Sequence, residues 1–176
     1  MKVYVVGSSC SGKTTLSSKI AAVLQIPHLE LDQIWWSPGW QECDRQEFRK
    51  QVEDKITTNK AWVIDGNYSR IQDLILPEAD MIIWLNLPFL VVFWRSIYRT
   101  ISRIISREII CNGNQEDWRS FFSRDSMPAW VIRTWKLRFN SCSRLKSDDT
   151  RVIELKNSKD IEHFLKNIEN IASKLQ

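Results

Sequence analysis

A glycine- and serine-rich segment near the start of the chain carries the clearest chemical signal. It fits the Walker A pattern G-x-x-x-x-G-K-[ST] as Gly7-Ser8-Ser9-Cys10-Ser11-Gly12-Lys13-Thr14. In such a loop, backbone N–H groups surround phosphate oxygens, and the helix that follows adds the positive end of its dipole. A strand pattern precedes the segment and a helix pattern follows it, as the motif requires. The sequence therefore predicts a nucleotide site, with ATP and Mg²⁺ as the expected ligands.

The residues of this phosphate loop have different expected roles. Lys13 is expected to reach the β- and γ-phosphates, and the Thr14 hydroxyl is expected to bind Mg²⁺. Thr15 is the last residue of the predicted nucleotide site. Cys10 is expected to fill space in the loop rather than to act as a nucleophile. The alternative is a chance match to the motif, or a site that has lost its activity.

Two acidic residues follow apolar strand patterns further along the chain. Asp65 ends the run Val63-Ile64-Asp65 as a Walker B segment ends, so it is expected to hold Mg²⁺ or one of its waters. Asp32 ends the second predicted strand, which we expect beside the first, and its carboxylate could accept a proton from an attacking hydroxyl or orient the acceptor. Alternatively, Asp65 only caps the turn at Gly66, and Asp32 caps a helix or turn.

A long predicted helix over residues 88–110 carries an arginine at every fourth position: Arg95, Arg99, Arg103 and Arg107. Like charges at this spacing repel one another, so an anion is expected to compensate them. The predicted apolar side of the same helix consists of Ile97, Ile101, Ile104 and Ile105. Phosphoryl transfer needs positive charge near the transferred group, and Arg103 and Arg107 are the candidates. The alternative is a solvated basic face.

The net charge of +4 is unevenly distributed along the chain. The stretch 95–144 holds ten Lys and Arg against four Asp and Glu, and nine of the ten are Arg. Because the guanidinium fork suits phosphate and carboxylate, this stretch implies an anionic partner. A nucleotide meets this requirement for an anionic partner as well as a nucleic acid does. Nucleic acid is the less favoured partner, since the sequence contains no recognised nucleic-acid-binding module.

Tryptophans cluster next to these candidate residues. Trp35, Trp36 and Trp40 crowd a turn-rich loop after Asp32, where they could stack on a planar acceptor. A second aromatic wall could come from the basic region, through Trp118, Trp130 and Trp135. Alternatively, these tryptophans form a small hydrophobic core beneath a loop.

Short apolar strands alternate with helices and must position these side chains. The strand patterns cover 2–6, 28–31, 61–64, 81–85 and 151–155, and the helix patterns cover 13–25, 44–59, 88–110, 128–146 and 158–175. This alternation predicts an α/β fold of the P-loop NTPase type, with a five-stranded parallel sheet covered by helices on both faces. The candidate residues fall at or after the carboxyl ends of the strands, where such sheets bind ligands. We expect a single domain, 1–176, with 32–60 as the acceptor-binding segment and 95–146 as a helical, arginine-rich lid.

Cysteine usage and hydropathy indicate a cytoplasmic protein without a membrane partner. The four cysteines form no C-x-x-C pair, and two histidines are too few for a Cys/His metal site. Met1 leads almost directly into a strand pattern, so no signal peptide is expected. The most apolar window, 81–94, is too short to span a bilayer. The oligomeric state is left open.

Together these motifs resemble the adenylate-kinase and shikimate-kinase group of small P-loop kinases. More narrowly, nearly the whole chain resembles bacterial adenylate-kinase-related proteins labelled DNA topology modulation proteins. The segments that carry this resemblance are Leu31-Asp32, Trp36-x-Pro38-Gly39-Trp40, Trp62-Val63-Ile64-Asp65-Gly66-Asn67-Tyr68 and Ala79-Asp80 to Pro88. The resemblance implies that Lys13 and Thr14 belong to the nucleotide site and that Arg103 and Arg107 are lid arginines.

The chain departs from the adenylate-kinase pattern at one point that bears on the acceptor. After the third strand it reads Asp65-Gly66-Asn67-Tyr68-Ser69-Arg70, where adenylate kinases read Asp-Gly-Phe-Pro-Arg. The arginine is one position later, so AMP recognition does not carry over. The segment 71–78 also lacks an arginine that the narrower group leads us to expect.

Three functions are compatible with these observations. The first is an ATP-dependent phosphotransferase that moves a γ-phosphoryl group to a small acceptor, such as a nucleotide, a nucleoside or another hydroxyl compound. The second is an ATP-dependent, nucleic-acid-associated protein, and the third is an NTP-binding regulator with little turnover. The arginine-bearing helix and the missing nucleic-acid module favour the first.

Overall fold

Helices and strands alternate along residues 1–175, the part of the chain that the computed structural model describes. The elements are, in order, β1 (Lys2–Gly7), α1 (Lys13–Leu24), β2 (His28–Glu30), α2 (Leu31–Trp35), β3 (Trp36–Ser37), β4 (Gln41–Glu42), α3 (Arg45–Thr58), β5 (Trp62–Asp65), a 3-10 turn (Ser69–Ile71), α4 (Gln72–Ile75), β6 (Met81–Leu85), α5 (Phe89–Ser106), α6 (Trp118–Phe121), α7 (Met127–Asp148), β7 (Val152–Leu155) and α8 (Ser158–Leu175). Within this described part, no helix is both long and apolar enough to cross a membrane.

Five strands form one sheet in the order β2-β5-β1-β6-β7, and every pairing in it is parallel. Successive residues of β1 point to opposite faces of this sheet. Tyr4 and Val6 pack in a core with side chains of α3 and α7, whereas Val3 and Val5 pack in a second core with side chains of α1 and α8. The predicted five-stranded parallel sheet with helices on both faces is therefore confirmed.

The second strand does not lie beside the first, contrary to the expectation from the sequence. β5 lies between them, because Asp65 pairs with Val5 on one side and with Glu30 on the other. β2 has three residues, of which only Leu29 is buried, whereas all four residues of β5 are buried. A short strand with polar ends suits the edge of a sheet, and a fully buried strand suits its centre.

Asp32 belongs to a helix rather than to a strand end, which corrects its predicted setting. Leu31 and Trp35 are four residues apart, and both are buried, so the chain turns into the short helix α2 directly after β2. Trp36–Ser37 then pairs with Gln41–Glu42 as a small antiparallel hairpin. The predicted loop 35–40 thus contains the last residue of α2, the strand β3 and the turn that leads to β4.

Helix α5 is shorter than predicted, and its buried side only partly matches the predicted one. It ends at Ser106, because Arg107 takes a left-handed conformation with φ of 53°. The buried residues are Val92, Ser96, Thr100 and Ile104. Of the predicted apolar side, Ile104 is therefore buried and Ile97 and Ile101 are half-buried, whereas Ile105 is 71% exposed and lies outside the buried side. Helix α5 packs against α7, and the small side chains of Ser96 and Thr100 fit such a close approach between helices.

Candidate functional site

The phosphate loop joins β1 to α1 at the carboxyl edge of the sheet. Gly7 has φ of +148°, and a Cβ at this position would lie 2.7 Å from the carbonyl oxygen of Leu85 on β6. The loop can therefore pass this close to the neighbouring strand only with glycine. Gly12, with φ of 98°, precedes the first turn of α1, where Thr15 is exposed. Ser9, in the middle of the loop, is half-buried.

Several polar groups of the loop are buried and suited to an anion. The Lys13 ammonium donates to the carbonyl oxygen of Ser8 at 3.0 Å. Among residues 1–175, the hydroxyls of Ser8 and Ser11 are buried without a hydrogen-bond partner. Leaving buried donors unpaired is unfavourable, and a bound phosphate would satisfy them. Burial lowers the pKa of Lys13, while the nearby carboxylates of Asp32 and Asp65 act in the opposite direction.

Cys10 lies on the apolar side of the loop. It packs in a small cluster with Leu87, Val92 and Val131. Burial raises the pKa of its thiol, although the charges of nearby basic residues oppose this effect. A buried, protonated thiol is a poor nucleophile, so these surroundings suit the predicted space-filling role.

Asp65 meets the phosphate loop at the end of β5. The Thr14 hydroxyl donates to Asp65 Oδ2 at 2.7 Å, and His28 Nε2 lies 3.1 Å from Asp65 Oδ1. The carboxylate side chain is only 4% exposed. Hydroxyl and carboxylate oxygens are ligands that Mg²⁺ prefers. Among residues 1–175, no group of three His, Cys, Asp or Glu side chains is placed to hold a metal ion. Mg²⁺ commonly binds through one or two carboxylates together with the phosphate oxygens of a substrate.

Asp32 is exposed on α2 and is held by a tyrosine that the sequence reasoning had not assigned a role. The Tyr68 hydroxyl donates to Asp32 Oδ1 at 2.6 Å. The Tyr68 ring packs at centroid distances of 5.6 Å from Trp35 and 5.1 Å from Phe48. Burial and then the charge of Asp32 raise the pKa of Tyr68 far above its usual range. Burial and the same carboxylate also raise the pKa of Cys111, so the loop after α5 reaches the surroundings of Asp32.

Asn67 connects the end of β5 to the phosphate loop. Its Oδ1 accepts from the Gly7 N–H at 3.3 Å, and its Nδ2 donates to the Gly7 carbonyl oxygen. This contact was also missed at the level of sequence. The sequence feature that could have revealed it is the position of Asn67 and Tyr68 directly after Asp65-Gly66, at the carboxyl end of a central strand, where such sheets bind ligands.

The four arginines do not form a straight row. Residues four apart in an α-helix are displaced by about 40° around the axis, so their directions diverge along α5. Arg95 Nη1 donates to the carbonyl oxygen of Ser11 in the phosphate loop at 3.3 Å. Arg99 is half-buried. Its positive charge lowers the pKa of Cys10, against the effect of burial, and it also lowers the pKa of Lys13. Arg95 and Arg99 therefore lie close to the phosphate loop, although the sequence reasoning had favoured later positions.

The other two arginines have different surroundings. Arg103 is 20% exposed and forms ion pairs with Glu108 at 3.5 Å and with Glu116 at 3.7 Å. Arg107 is exposed and ends α5, so it does not share the helix with the other three. The structure thus places Arg95 and Arg99 beside the phosphate loop, holds Arg103 in ion pairs with two glutamates, and shows Arg107 exposed at the end of α5.

Two asparagines join the loop after α5 to the hairpin after α2, and we call Asn112 and Asn114 the asparagine clasp. Asn112 Nδ2 donates to the carbonyl oxygens of Gln33 and Trp36, both at 2.7 Å. Asn114 Oδ1 accepts from the Trp40 N–H at 2.8 Å. The predicted lid and the predicted acceptor segment are therefore in direct contact.

The tryptophans are distributed over several environments. Trp35 is 5% exposed and belongs to the core, whereas Trp36 and Trp40 pack edge to face at 5.7 Å on the hairpin. The three tryptophans of the predicted second wall have partners of their own: Trp118 packs on Phe121, Arg133 lies over Trp130, and Trp135 packs on Phe89 and Phe139. Only Trp36 and Trp40 thus remain near the surface of the acceptor segment.

The chain is similar to two solved kinases over nearly its whole length. A gluconokinase from Sinorhizobium meliloti 1021 is 15% identical, with 99% of this chain and 92% of that chain covered and a TM-score of 0.56. A shikimate kinase from Bacteroides thetaiotaomicron is 14% identical, with 98% of each chain covered and a TM-score of 0.59. These likenesses show that the chain shares its α/β fold with P-loop kinases.

Comparison of sequences finds a curated relative whose identity is too low to show a shared family. The uncharacterized protein YqaC of Bacillus subtilis (strain 168) is 23% identical over an alignment of 160 residues, and the match covers 84% of this chain and 88% of that protein. No family model matches the chain. The narrower resemblance to DNA topology modulation proteins therefore stays a prediction.

Proposed function

We propose that this protein is an ATP-dependent phosphotransferase that moves the γ-phosphoryl group to a hydroxyl of a small acceptor. The observation that carries the proposal is the hydrogen bond of 2.7 Å between Thr14 and Asp65. It brings two oxygens suited to Mg²⁺ together beside a phosphate loop, at the edge of the sheet that also carries Asp32. The fold shared with two small-molecule kinases supports the same reading.

On the nucleotide side, the loop Gly7–Thr14 would receive the phosphates of ATP. Backbone N–H groups and the N-terminus of α1 would bind phosphate oxygens, and Lys13 would leave the Ser8 carbonyl oxygen for the β- and γ-phosphates. Thr14 and Asp65 would hold Mg²⁺, which neutralises phosphate charge when it is bound.

On the acceptor side, Asp32 would accept the proton of the attacking hydroxyl. The hydroxyl oxygen forms a bond to the γ-phosphorus while the bond to the bridging oxygen of ADP breaks, and ADP leaves with that electron pair. We assign acceptor binding to the segment 32–60 and closure over the site to 95–146. The asparagine clasp, which already joins these two segments, supports this division.

Positive charge for the transition state would come from α5. Arg103 remains a candidate, and we add Arg99 because its charge acts on Lys13 in the phosphate loop. Glu116 holds Arg103 in the structure and would have to release it for a role at the phosphates. Arg107, exposed at the end of α5, forms no hydrogen bond with the phosphate loop among residues 1–175, so we expect a smaller contribution from it.

An acceptor screen tests the proposal directly. ADP release would be measured with Mg-ATP and a panel of nucleosides, nucleoside monophosphates, gluconate, shikimate and other small hydroxyl compounds. We expect stimulation by one class of acceptor, and loss of that stimulation in Lys13→Ala but not in Lys19→Ala, an exposed lysine of the same helix. Thermal shifts with a non-hydrolysable ATP analogue would rank the acceptors. Mg-ATP binding without stimulation by any of them would instead indicate an NTP-binding regulator.

Nucleic-acid binding is the second candidate function. The basic stretch 95–144 exposes Trp118 and Trp130, and nucleic-acid bases stack on tryptophan. This function predicts DNA binding that weakens steeply with salt, with a log–log slope of about −0.9 for each phosphate contact. Binding of that kind, together with no acceptor-stimulated ADP release, would replace the phosphotransferase proposal.

A reducing, cytoplasmic location is part of the same proposal. All four cysteines are free thiols: Cys10, Cys43, Cys111 and Cys142. Free thiols are usual in proteins of reducing compartments. ATP and Mg²⁺ are abundant there, so the location agrees with the proposed cofactors.

A further inference from the structure

The three residues that follow β5, Gly66-Asn67-Tyr68, lie between the phosphate loop and Asp32, and we call them the 66–68 bridge. The Gly66 N–H donates to the Val5 carbonyl oxygen at 3.3 Å, and the Gly66 carbonyl oxygen accepts from the buried Tyr4 hydroxyl at 2.9 Å. Both contacts are with β1. The start of the bridge is therefore fixed to the strand that leads into the phosphate loop.

The middle residue of the bridge binds the phosphate loop itself. Asn67 uses its amide oxygen and its amide nitrogen on the backbone of a single residue, Gly7. Only a side-chain amide offers an acceptor and a donor side by side in this way. An aspartate at this position would lose the donor, and an alanine would lose both groups.

The last residue of the bridge reaches the acceptor side. Tyr68 donates to Asp32 Oδ1 at 2.6 Å, a short hydrogen bond of the kind that carboxylates form with hydroxyls. Among residues 1–175, Tyr68 is the only hydrogen-bond partner of the Asp32 carboxylate. Trp35 and Phe48 hold the Tyr68 ring, so the hydroxyl cannot move independently of the core.

Core packing explains the ring of Tyr68 but not its hydroxyl. A phenylalanine would fill the same space against Trp35 and Phe48 and would lack only the hydrogen bond to Asp32. Because the hydroxyl points to an exposed carboxylate at the candidate site, its role concerns that carboxylate.

We propose that Asn67 and Tyr68 are positioning residues that fix the Asp32 carboxylate relative to the phosphate loop. The connection runs from Gly7 through Asn67 and Tyr68 to Asp32, and it sets the distance between the transferred phosphoryl group and the group that receives the proton. Geometry of this kind contributes to rate when the reacting groups must meet in one orientation. The inference rests on the proposed function, since it assigns Asp32 to the acceptor.

Kinetics test the connection through a double-mutant cycle. Tyr68→Phe keeps the ring and removes the hydroxyl, so we expect kcat for acceptor-stimulated ADP release to fall about tenfold, with the KM for ATP unchanged. In an Asp32→Asn background, the same change should have no further effect on kcat. Tyr98→Phe, at a side chain that is 78% exposed, is the matched control. An equal loss of kcat in both backgrounds would overturn the proposal, because Tyr68 would then act independently of Asp32.

Carbon NMR tests the contact without any turnover. In protein labelled with ¹³C at the aspartate carboxyl carbons, the Asp32 signal is identified by its loss in Asp32→Asn. We expect this signal to move in Tyr68→Phe and to stay in place in Tyr98→Phe. An unmoved signal in Tyr68→Phe contradicts the proposal whatever the kinetics show. If the parent protein releases no ADP with any acceptor but the signal moves, the positioning contact stands and the proposed function fails.

Discussion

The two sides of the candidate site are built in different ways. On the nucleotide side, the phosphate-binding part is one continuous segment, Gly7–Thr14, in which strand, turn and helix follow one another, and only Asp65 joins it from a distant strand. The acceptor side combines Asp32 from α2, Tyr68 from the bridge after β5 and Asn114 from the loop after α5. A local segment reproduces its geometry wherever its motif occurs, whereas an assembled site depends on how distant elements pack. Changes on the two sides should therefore differ in what they affect.

The largest effect is expected on the nucleotide side. Lys13→Ala removes the ammonium group that would contact the β- and γ-phosphates, so kcat/KM should fall by about 10³-fold. Binding of a non-hydrolysable ATP analogue, measured by calorimetry, should weaken by about 1.5–3 kcal/mol. Lys19→Ala is the control. Unchanged binding and turnover in Lys13→Ala would show that the phosphate loop is not the nucleotide site.

The next prediction separates the two carboxylates. Asp32→Asn should lower kcat by about 10²-fold with little change in ATP affinity, because the loss concerns proton transfer from the acceptor. Asp65→Asn should instead raise the Mg²⁺ concentration needed for half-maximal rate by about tenfold, because it removes a metal-binding oxygen. Magnesium titrations of both variants measure the difference. Exchanged phenotypes would reverse the two assignments.

The arginines of α5 provide a smaller contrast. Arg99→Ala should lower kcat by about tenfold, since its charge lies near the phosphate loop, whereas Arg107→Ala should stay within about twofold of the parent. Steady-state rates of the two variants measure this contrast. Equal losses in both would contradict the smaller role that we expect for Arg107. Weakened DNA binding in both, with a salt slope reduced by about one unit each, would favour nucleic-acid binding instead.

The smallest effect is expected at the contact between the loop after α5 and the hairpin after α2. Asn114→Ala removes the acceptor of the Trp40 N–H, so hydrogen exchange at this amide should accelerate by about three- to tenfold. Amide exchange followed by NMR measures the effect. Asn140→Ala, an exposed asparagine of α7, should leave the exchange unchanged. The same rate in Asn114→Ala and in the parent would mean that the clasp does not hold the hairpin.

The amino-acid sequence alone determined the features that arise from neighbouring residues. The phosphate loop was predicted from eight consecutive residues, and α8 was predicted with the bounds that the structure shows. The helix pattern over 44–59 also agrees with α3 to within a residue at each end, and the Asp44 side chain caps this helix by accepting from the N–H groups of Gln46 and Glu47. Turn chemistry and hydrophobic periodicity act over a few residues, so they are visible in a single sequence.

Tertiary structure decided which distant residues meet. The sequence contains five strand patterns, but only packing places β5 between β2 and β1 and so brings Asp65, rather than Asp32, beside the phosphate loop. Which arginines lie near the phosphate loop likewise depends on how α5 is rotated about its axis and on where it ends. The partner of Asp32 is Tyr68, 36 residues away. Such contacts depend on sheet order and on the orientation of packed helices, which no local pattern specifies because they result from burial of the whole chain.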